Sequence, residues 1–468
     1  MTTTNPKQVP YGAYHKTRVP TYDPELAETG PGTPTGEFMR KSWQPVCLSE
    51  ELTDVPKAIR IMGEDLVAFR DRSGNIGVLQ RHCSHRGTSL EYGIIQPKGI
   101  RCCYHGWVYD IDGTILEMPA EPNDSRIYET VYHGAYPAFE RAGLVFAYMG
   151  PPEEKPVFPE YDVYRFPEDT KLVGFSHIYH CNWLQVFENL IDPVHTSFLH
   201  SGEMTVDSAD ASAKEGVTAP QAFYSDLQVV NWRPTRNGHG ACFISGRRVD
   251  DDVVWTRSSE LVFPNLVQIP SVFSSAHEAR HATLCMSRWH VPVDDSHMII
   301  FGWRHFNNQI DRYGDGREEE CGVDKCDFID GQSQRPYDVG QRAPGDWEAI
   351  NSQRAIAVHD LENPAGSDVG VYLCRKLLRD LVRGEAPELT ARPMSDDGSQ
   401  TLHSYGHDSA VRLPRQQDRE KDRELIGEIG LKIFDIMAEA DAIDSESRRS
   451  YILGRLDDLD GGLQEAAE

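Results

Sequence analysis

The 468-residue chain carries 47 Lys and Arg against 73 Asp and Glu, a formal charge of −26, which argues against the basic footprint of a nucleic-acid-binding protein. Its 39% hydrophobic, 9% aromatic and 26% charged residues describe a globular protein long enough for two or three domains. No apolar run approaches the roughly 20 residues of a membrane span and MTTTNPKQVPYG lacks a basic-then-apolar leader pattern, so the expected address is the cytoplasm, without membrane.

Residues 1–40 are polar and rich in Pro and Gly (ETGPGTPTGEF), which predicts an arm with little core of its own. From 41 the pattern becomes strand-like: AIRIMG and DLVAFR precede a DRSGN turn, and IGVLQ follows it. WVYDIDGTILEM repeats the hairpin device around Asp112-Gly113. This small β domain, 41–150, ends near LVFAYMG, and PPEEKP reads as a linker. A larger domain, 151–412, follows. LQVVNW, ACFISG, VVWTRSSEL, HATLCMSRWHV and HMIIFGW predict an antiparallel sheet, with helices CNWLQVFENLI, GDWEAINSQRAIAV and VYLCRKLLRDLV against it. Residues 307–345 read as a long polar loop. A helical extension, 413–468, contains RELIGEIGLKIFDIMAEADAI, a packing or oligomer helix. The fold class expected is α+β, an all-β domain followed by a helix-grip-like sheet.

The stretch HCSHRGTSLEYGIIQPKGIRCCYHGW (82–107) concentrates metal-binding chemistry among the chain's ten cysteines. In a reducing compartment such clusters read first as metal ligands rather than disulfides. Cys83-x-His85 and Cys102-x-x-His105 each follow a strand signal and precede a glycine, Gly87 and Gly106. The four side chains could hold tetrahedral zinc, or a [2Fe-2S] cluster with thiolates on one iron and imidazoles on the other. Neutral imidazoles in place of thiolates raise the reduction potential. Cys102 has the spacing to His105, and its neighbour Cys103 is the alternative thiol. Downstream, Asp192-Pro193 reads as a helix break, with Asp192 and His195 on one face. His195 and His200 are about 140° apart on an ideal helix, so both reach one ion only where the helix distorts.

C-x-H-R-G followed by C-C-Y-H-G-W resembles the Rieske fingerprint, with Cys103 where relatives commonly have Pro. Glu188-x-x-x-Asp192-x-x-His195-x-x-x-x-His200 behind it is similar to the iron site of the Rieske non-haem iron oxygenases; SFLH and GPGTPTGEF resemble the phthalate dioxygenase-like branch. The resemblance implies a Rieske [2Fe-2S] cluster on Cys83, His85, Cys102 and His105, and mononuclear Fe(II) in a 2-His-1-carboxylate triad open on one face. His195 and His200 map onto the two histidines. GDWEAINSQ is similar to the segment supplying the carboxylate, which points to Asp346, with Glu348 and Asp360 as rivals. Asp192 would bridge His195 to His105 of a neighbouring subunit, which requires a homotrimer or a hexameric dimer of trimers.

The same resemblance implies a terminal oxygenase that uses O2, and electrons from a separate NAD(P)H-dependent reductase or ferredoxin, to hydroxylate an aromatic substrate. No G-x-G-x-x-G lies between a strand and a helix, in keeping with a borrowed reductant. Arg81, Arg86, Lys98 and Arg101 against Glu91 form a candidate docking patch. An aromatic carboxylate needs a cationic partner, for which Arg247, Arg248 and Arg257 are candidates. An O-demethylase on the same scaffold, a Rieske electron carrier and a zinc-stabilised binding module are the alternatives.

Overall fold

The computed structural model describes residues 19–122, 124–200, 227–235, 240–270, 280–308, 317–326, 335–385 and 401–465. Two short helices, α1 (Pro24–Ala27) and α2 (Pro34–Arg40), are capped by Asp23 and Thr33 and entered through proline. Leu26 and Met39 from them are wholly buried in the main core, so the arm folds onto the body instead of building a core of its own.

The small β unit begins with β1 (Gln44–Leu48). β2 (Lys57–Ile61), β3 (Glu64–Arg70) and β4 (Ile76–Gln80) form the antiparallel meander that the alternation predicts. β5 (Ile94–Ile95), β6 (Ile100–Arg101), β7 (Val108–Tyr109) and β8 (Ile115–Glu117) make a second sheet, and Gly113 turns between β7 and β8 at φ 85°. β9 (Ala135–Tyr136) extends the first sheet, while β10 (Ala138–Arg141) and β11 (Leu144–Ala147) complete a third in the order β1-β11-β10.

The larger part is one antiparallel sheet. Its strands are β12 (Lys171–Tyr179), β13 (Val229–Pro234), β14 (Gly240–Arg248), β15 (Val253–Val262), β16 (Leu266–Pro270), β17 (His281–Ala282), β18 (Leu284–Asp294), β19 (His297–Phe306) and β20 (His407–Arg412). The order is β12-β19-β18-β16-β15-β14-β13, with β20 pairing β15 and β17. Because side chains alternate, one face of β18 and β19 presents Trp289 and Trp303 to Phe146 of the small β unit and Phe158 of the segment that follows it. Burying one such Trp contributes on the order of 5 kcal/mol before entropy is counted.

The opposite face receives helices: α3 (Trp183–Asn189), α4 (Thr196–Leu199), α5 (Tyr337–Arg342), α6 (Asp346–Asn351) and α7 (Val369–Val382). Phe187 of α3 meets His290 of β18 at 5.6 Å. α8 (Arg419–Glu439) and α9 (Ser445–Glu465) add a second core, where Ile426 and Ile433 pack with Ile244 of β14. Among the described residues no helix is long and apolar enough to cross a membrane.

Among the strands not foreseen are β12, β16 and β20, while α9 falls within the helical extension expected over 413–468. β16 (LVQIP) is a continuous run in mid-sheet, where alternation disappears. The helix expected through GDWEAINSQRAIAV stops at Asn351, because the chain turns through Arg354 at φ 87°. The loop expected over 307–345 includes α5, while 309–316 and 327–334 lie outside the described residues.

Candidate functional site

Two loops of matching construction meet at the end of the small β unit. One leaves β4: the Cys83 N–H donates to Thr88 at 2.9 Å, and the Gly87 N–H to the Cys83 carbonyl at 2.8 Å. The other joins β6 to β7: the Cys102 N–H donates to Trp107 at 2.8 Å, and the Gly106 N–H to the Cys102 carbonyl at 3.1 Å. Gly87 and Gly106 close these turns at φ 75° and 76°, a conformation that favours glycine.

The thiols of Cys83 and Cys102 lie inside, 4% and 2% exposed, while Cys103 is exposed. The His85 and His105 rings stand further out, with centroids 4.5 Å apart, and His85 stacks on Trp107 at 4.8 Å. Thiols paired inside and imidazoles paired outside match a two-iron cluster. Tetrahedral zinc would need all four ligand atoms within about 4 Å of one another. Among the described residues, the group of three or more potential ligands gathered within 4.8 Å is a different one: His195, His200 and Asp346. Burial, and then the neighbouring Cys83 thiol, push the Cys102 pKa up, so two thiolates here call for metal charge. The Tyr109 hydroxyl lies 3.0 Å from Cys83 Sγ. Sequence reading missed this residue, since Tyr109 in WVYD looks like any buried strand aromatic.

The second site is built where the chain breaks after α3. Asp192 Oδ1 accepts the Val194 N–H at 3.0 Å, and Pro193 follows it. His195 stands at the entrance of the single turn α4 and His200 at its exit, at φ −100°, ψ 0°. A continuous helix would separate these rings; here their centroids are 5.4 Å apart. Asp346 opens α6, and its Oδ1 lies 3.5 Å from His195 Nε2 and 3.4 Å from His200 Nε2. That oxygen is buried and has no hydrogen-bond partner among the described residues, as expected of a carboxylate whose partner is a metal.

Burial opposes the charge of Asp346, yet His200, His195 and Arg288 together hold its carboxyl well below the usual range. Burial likewise opposes protonation of His200, but Asp346 outweighs it and raises the imidazole pKa. His195 Nδ1 donates to the main-chain carbonyl of Asp192, leaving Nε2 for an ion. The Asp192 carboxylate, expected to take that N–H, is instead 3.8 Å away.

The rivals to Asp346 are committed elsewhere. Glu348 accepts the Gly345 N–H at 2.9 Å and pairs with Arg335 at 2.8 Å; Asp360 accepts the Thr21 N–H at 2.9 Å. The candidate substrate arginines are engaged too. Arg247 donates to Gln228 at 2.7 Å and Arg257 pairs with Asp408 at 3.3 Å. Arg248 points to the other face, into Asp422 of α8. In the candidate docking patch, Lys98 and Arg101 pair with Asp110 and Glu117, both at 2.6 Å, and Arg81 has Glu91 at 3.7 Å. Arg86 lies over the Tyr104 ring, 5.8 Å from its centroid, so most of the patch charge is balanced locally.

Residues 42–137 match the Rieske [2Fe-2S] domain model and residues 147–313 the LigXa C-terminal domain like model. The tert-butanol monooxygenase / tert-amyl alcohol desaturase oxygenase subunit of Aquincola tertiaricarbonis is 54% identical over 94% of this chain and 93% of its own. The phenoxybenzoate dioxygenase subunit alpha of Ectopseudomonas oleovorans is 37% identical over 77% of this chain and 84% of its own. The fold is shared with dicamba monooxygenase bound to dicamba, at TM-score 0.54 and 19% identity over 75% of this chain and 99% of that one. The chain therefore belongs to the Rieske non-haem iron oxygenases. Within that family it is a terminal oxygenase subunit of a multicomponent system, an oxidoreductase whose cofactors are a Rieske [2Fe-2S] cluster and mononuclear iron.

Proposed function

We propose that Cys83, His85, Cys102 and His105 hold the cluster, and that His195, His200 and Asp346 hold ferrous iron. The observation that carries this reading is the meeting of three ligand atoms within 4.8 Å, one of them an orphaned carboxylate oxygen, in a chain that also carries the paired thiol and imidazole loops. When bound, the cluster supplies single electrons, and the iron supplies an open coordination face at which dioxygen is reduced. The protein's part is orientation. The Asp192 carbonyl fixes the His195 tautomer, the Asp192 carboxylate lies beside it as the group that would bridge to a histidine of a neighbouring subunit, and Asn351 and Trp347 tie α6 to the sheet edge through His180 N–H and the Ile178 carbonyl at 2.7 and 3.0 Å. The 41–150 and 151–412 segments act as the electron-receiving and oxygenating domains, with 1–40 as an arm and 413–468 as a helical extension.

Electrons come from a separate NAD(P)H-dependent reductase or ferredoxin, and an Asp192 bridge between subunits would require a trimer or hexamer as the working unit. The aromatic acid reading of the substrate is supported by the phenoxybenzoate relative. A second reading, a small tertiary alcohol, is favoured by 54% identity across 94% of the chain to the tert-butanol enzyme, and by internal partners already held by Arg247, Arg248 and Arg257. The test is product mass under labelled dioxygen, from iron-replete protein with a reductase and NADH, on phenoxybenzoate, a methoxybenzoate and tert-butanol. Labelled oxygen in any product supports the oxygenase, loss of CH2 with formaldehyde marks O-demethylation, and the substrate consumed decides between acid and alcohol. NADH oxidation with no labelled product from any of the three overturns these substrate readings.

A further inference from the structure

The helix-covered face of the large sheet carries a buried cation that makes no ion pair or hydrogen bond with a described residue. Arg288 lies on β18, in register with Val267 of β16 and Gly302 of β19. Strand alternation sets it on the face opposite Trp289, the face on which α3 packs. Its Nε is buried without a hydrogen-bond partner, and its guanidinium makes no ion pair with a described residue. Arginine cannot escape such a position by losing its proton, and its nearest described counter-charge, Asp346, is shared with His195 and His200, which leaves the guanidinium N–H groups available to a ligand.

The neighbours share its condition. His290, two residues on, has both ring nitrogens buried without a partner, and so has His177 Nε2 on β12. Ile300 of β19 is the register partner of both histidines. The row His177–Ile300–His290 therefore adjoins the row Phe175–Gly302–Arg288 on one face. The metal triad is close: Trp347, the residue after Asp346, donates to the Ile178 carbonyl of β12, next to His177, at 3.0 Å, and Asp346 and Arg288 lie near enough to act on each other's charge. Asp346 and His200 keep 33% and 36% of their side-chain surface accessible, so the triad opens onto space that a substrate can enter. Arg247, Arg248 and Arg257, by contrast, have internal partners.

We propose that Arg288, flanked by His177 and His290, binds the oxygen-bearing group of the substrate and thereby selects which molecules are held beside His195, His200 and Asp346. The inference rests on the oxygenase reading above. The ligand chemistry is an acceptor oxygen, either a carboxylate, which neutralises the guanidinium and takes its fork, or a hydroxyl, which takes one bond.

The test compares wild-type holoenzyme with Arg288→Gln and Arg288→Lys, measuring binding of phenoxybenzoate and of tert-butanol by calorimetry and the split of KM from kcat. With a carboxylate as the natural group, Arg288→Gln weakens phenoxybenzoate binding about 100-fold and Arg288→Lys recovers part of it. With a hydroxyl, tert-butanol binding weakens about tenfold. Either loss should read mainly in KM, with cluster absorbance and iron content retained. Unchanged affinity of Arg288→Gln for both compounds, no binding of either by wild type, or loss of iron from the variant overturns the proposal. Failure of the oxygenase reading is separate and shows as absent oxygen incorporation while binding is intact.

Discussion

Arg375→Met tests whether the helix leading into the metal site is held by charge. Arg375 of α7 forks onto Glu188 of α3, with Nε–Oε1 2.5 Å and Nη2–Oε2 2.7 Å, and makes two further bonds of 2.6 and 2.9 Å to Glu362. Arg375 and Glu188 are only 11% and 8% exposed, so screening by water is slight. Burial already raises the Glu188 pKa despite the arginine. Without Arg375 the buried carboxylate takes up a proton on folding. Set against an unfolded pKa of about 4.3, that costs about 3.7 kcal/mol at pH 7 and about 1 kcal/mol at pH 5.

The sign follows from the folded pKa lying above the unfolded one: the penalty grows as pH rises past about 4.3. Urea unfolding followed by far-UV circular dichroism should show a loss of up to about 3.7 kcal/mol at pH 7, less whatever the raised Glu188 pKa already costs the wild type, that shrinks towards pH 5. Glu188→Gln in the same background should recover most of it. A loss independent of pH, or below about 1 kcal/mol at pH 7, would refute the reasoning. Because α3 runs on to Asp192 and His195, the variant is also expected to retain less mononuclear iron.

Asp346→Ala should lose mononuclear iron and keep the cluster spectrum, whereas Glu348→Ala should keep both; metal analysis with the cluster's visible absorbance checks this, and normal iron in Asp346→Ala would move the third ligand elsewhere. Cys103→Ala should assemble the cluster and Cys102→Ala should not, and the reverse pattern would reassign the thiol. Tyr109→Phe removes the hydroxyl 3.0 Å from Cys83 Sγ, which leaves more negative charge on the sulfur. At about 1 kcal/mol of differential stabilisation the midpoint potential falls by roughly 45 mV in a redox titration; an unchanged midpoint would remove the hydroxyl from the sulfur's environment.

The sequence was most informative where chemistry fixes spacing. Glycine four residues after Cys83 and after Cys102 is the mark of two turns that close at positive φ, and both clusters could be located from it. The break at Asp192-Pro193 was legible too, though its consequence, a one-turn helix that brings His195 and His200 to one oxygen of Asp346, needed the structure. The choice of Asp346 over Glu348 rested on resemblance, because both begin the same helix. The approach of Asp346 Oδ1 to both histidines, and the bonds of Glu348 to Gly345 and Arg335, separate their surroundings.

The strand arginines show the limit most clearly. Alternation puts Arg247 and Arg248 on opposite faces but does not say which face is inner, nor that Asp422 waits for one and Gln228 for the other. Arg288 gave no signal in HATLCMSRWHV, since whether a strand arginine has a partner depends on residues far away in the chain. The C-terminal helix α9 was expected as part of the extension but its packing was not: its polar, weakly patterned surface conceals Ile452 and Leu456, which are buried in the core shared with α8.

Iron and acid-labile sulfide in the freshly purified protein test the two-site account most directly. A [2Fe-2S] cluster beside a mononuclear ion predicts three irons for every two sulfides, falling to two for two in Asp346→Ala. Equal iron and sulfide in the wild-type protein, unchanged by ferrous reconstitution, would contradict the second site and leave an electron carrier; zinc without sulfide would contradict both.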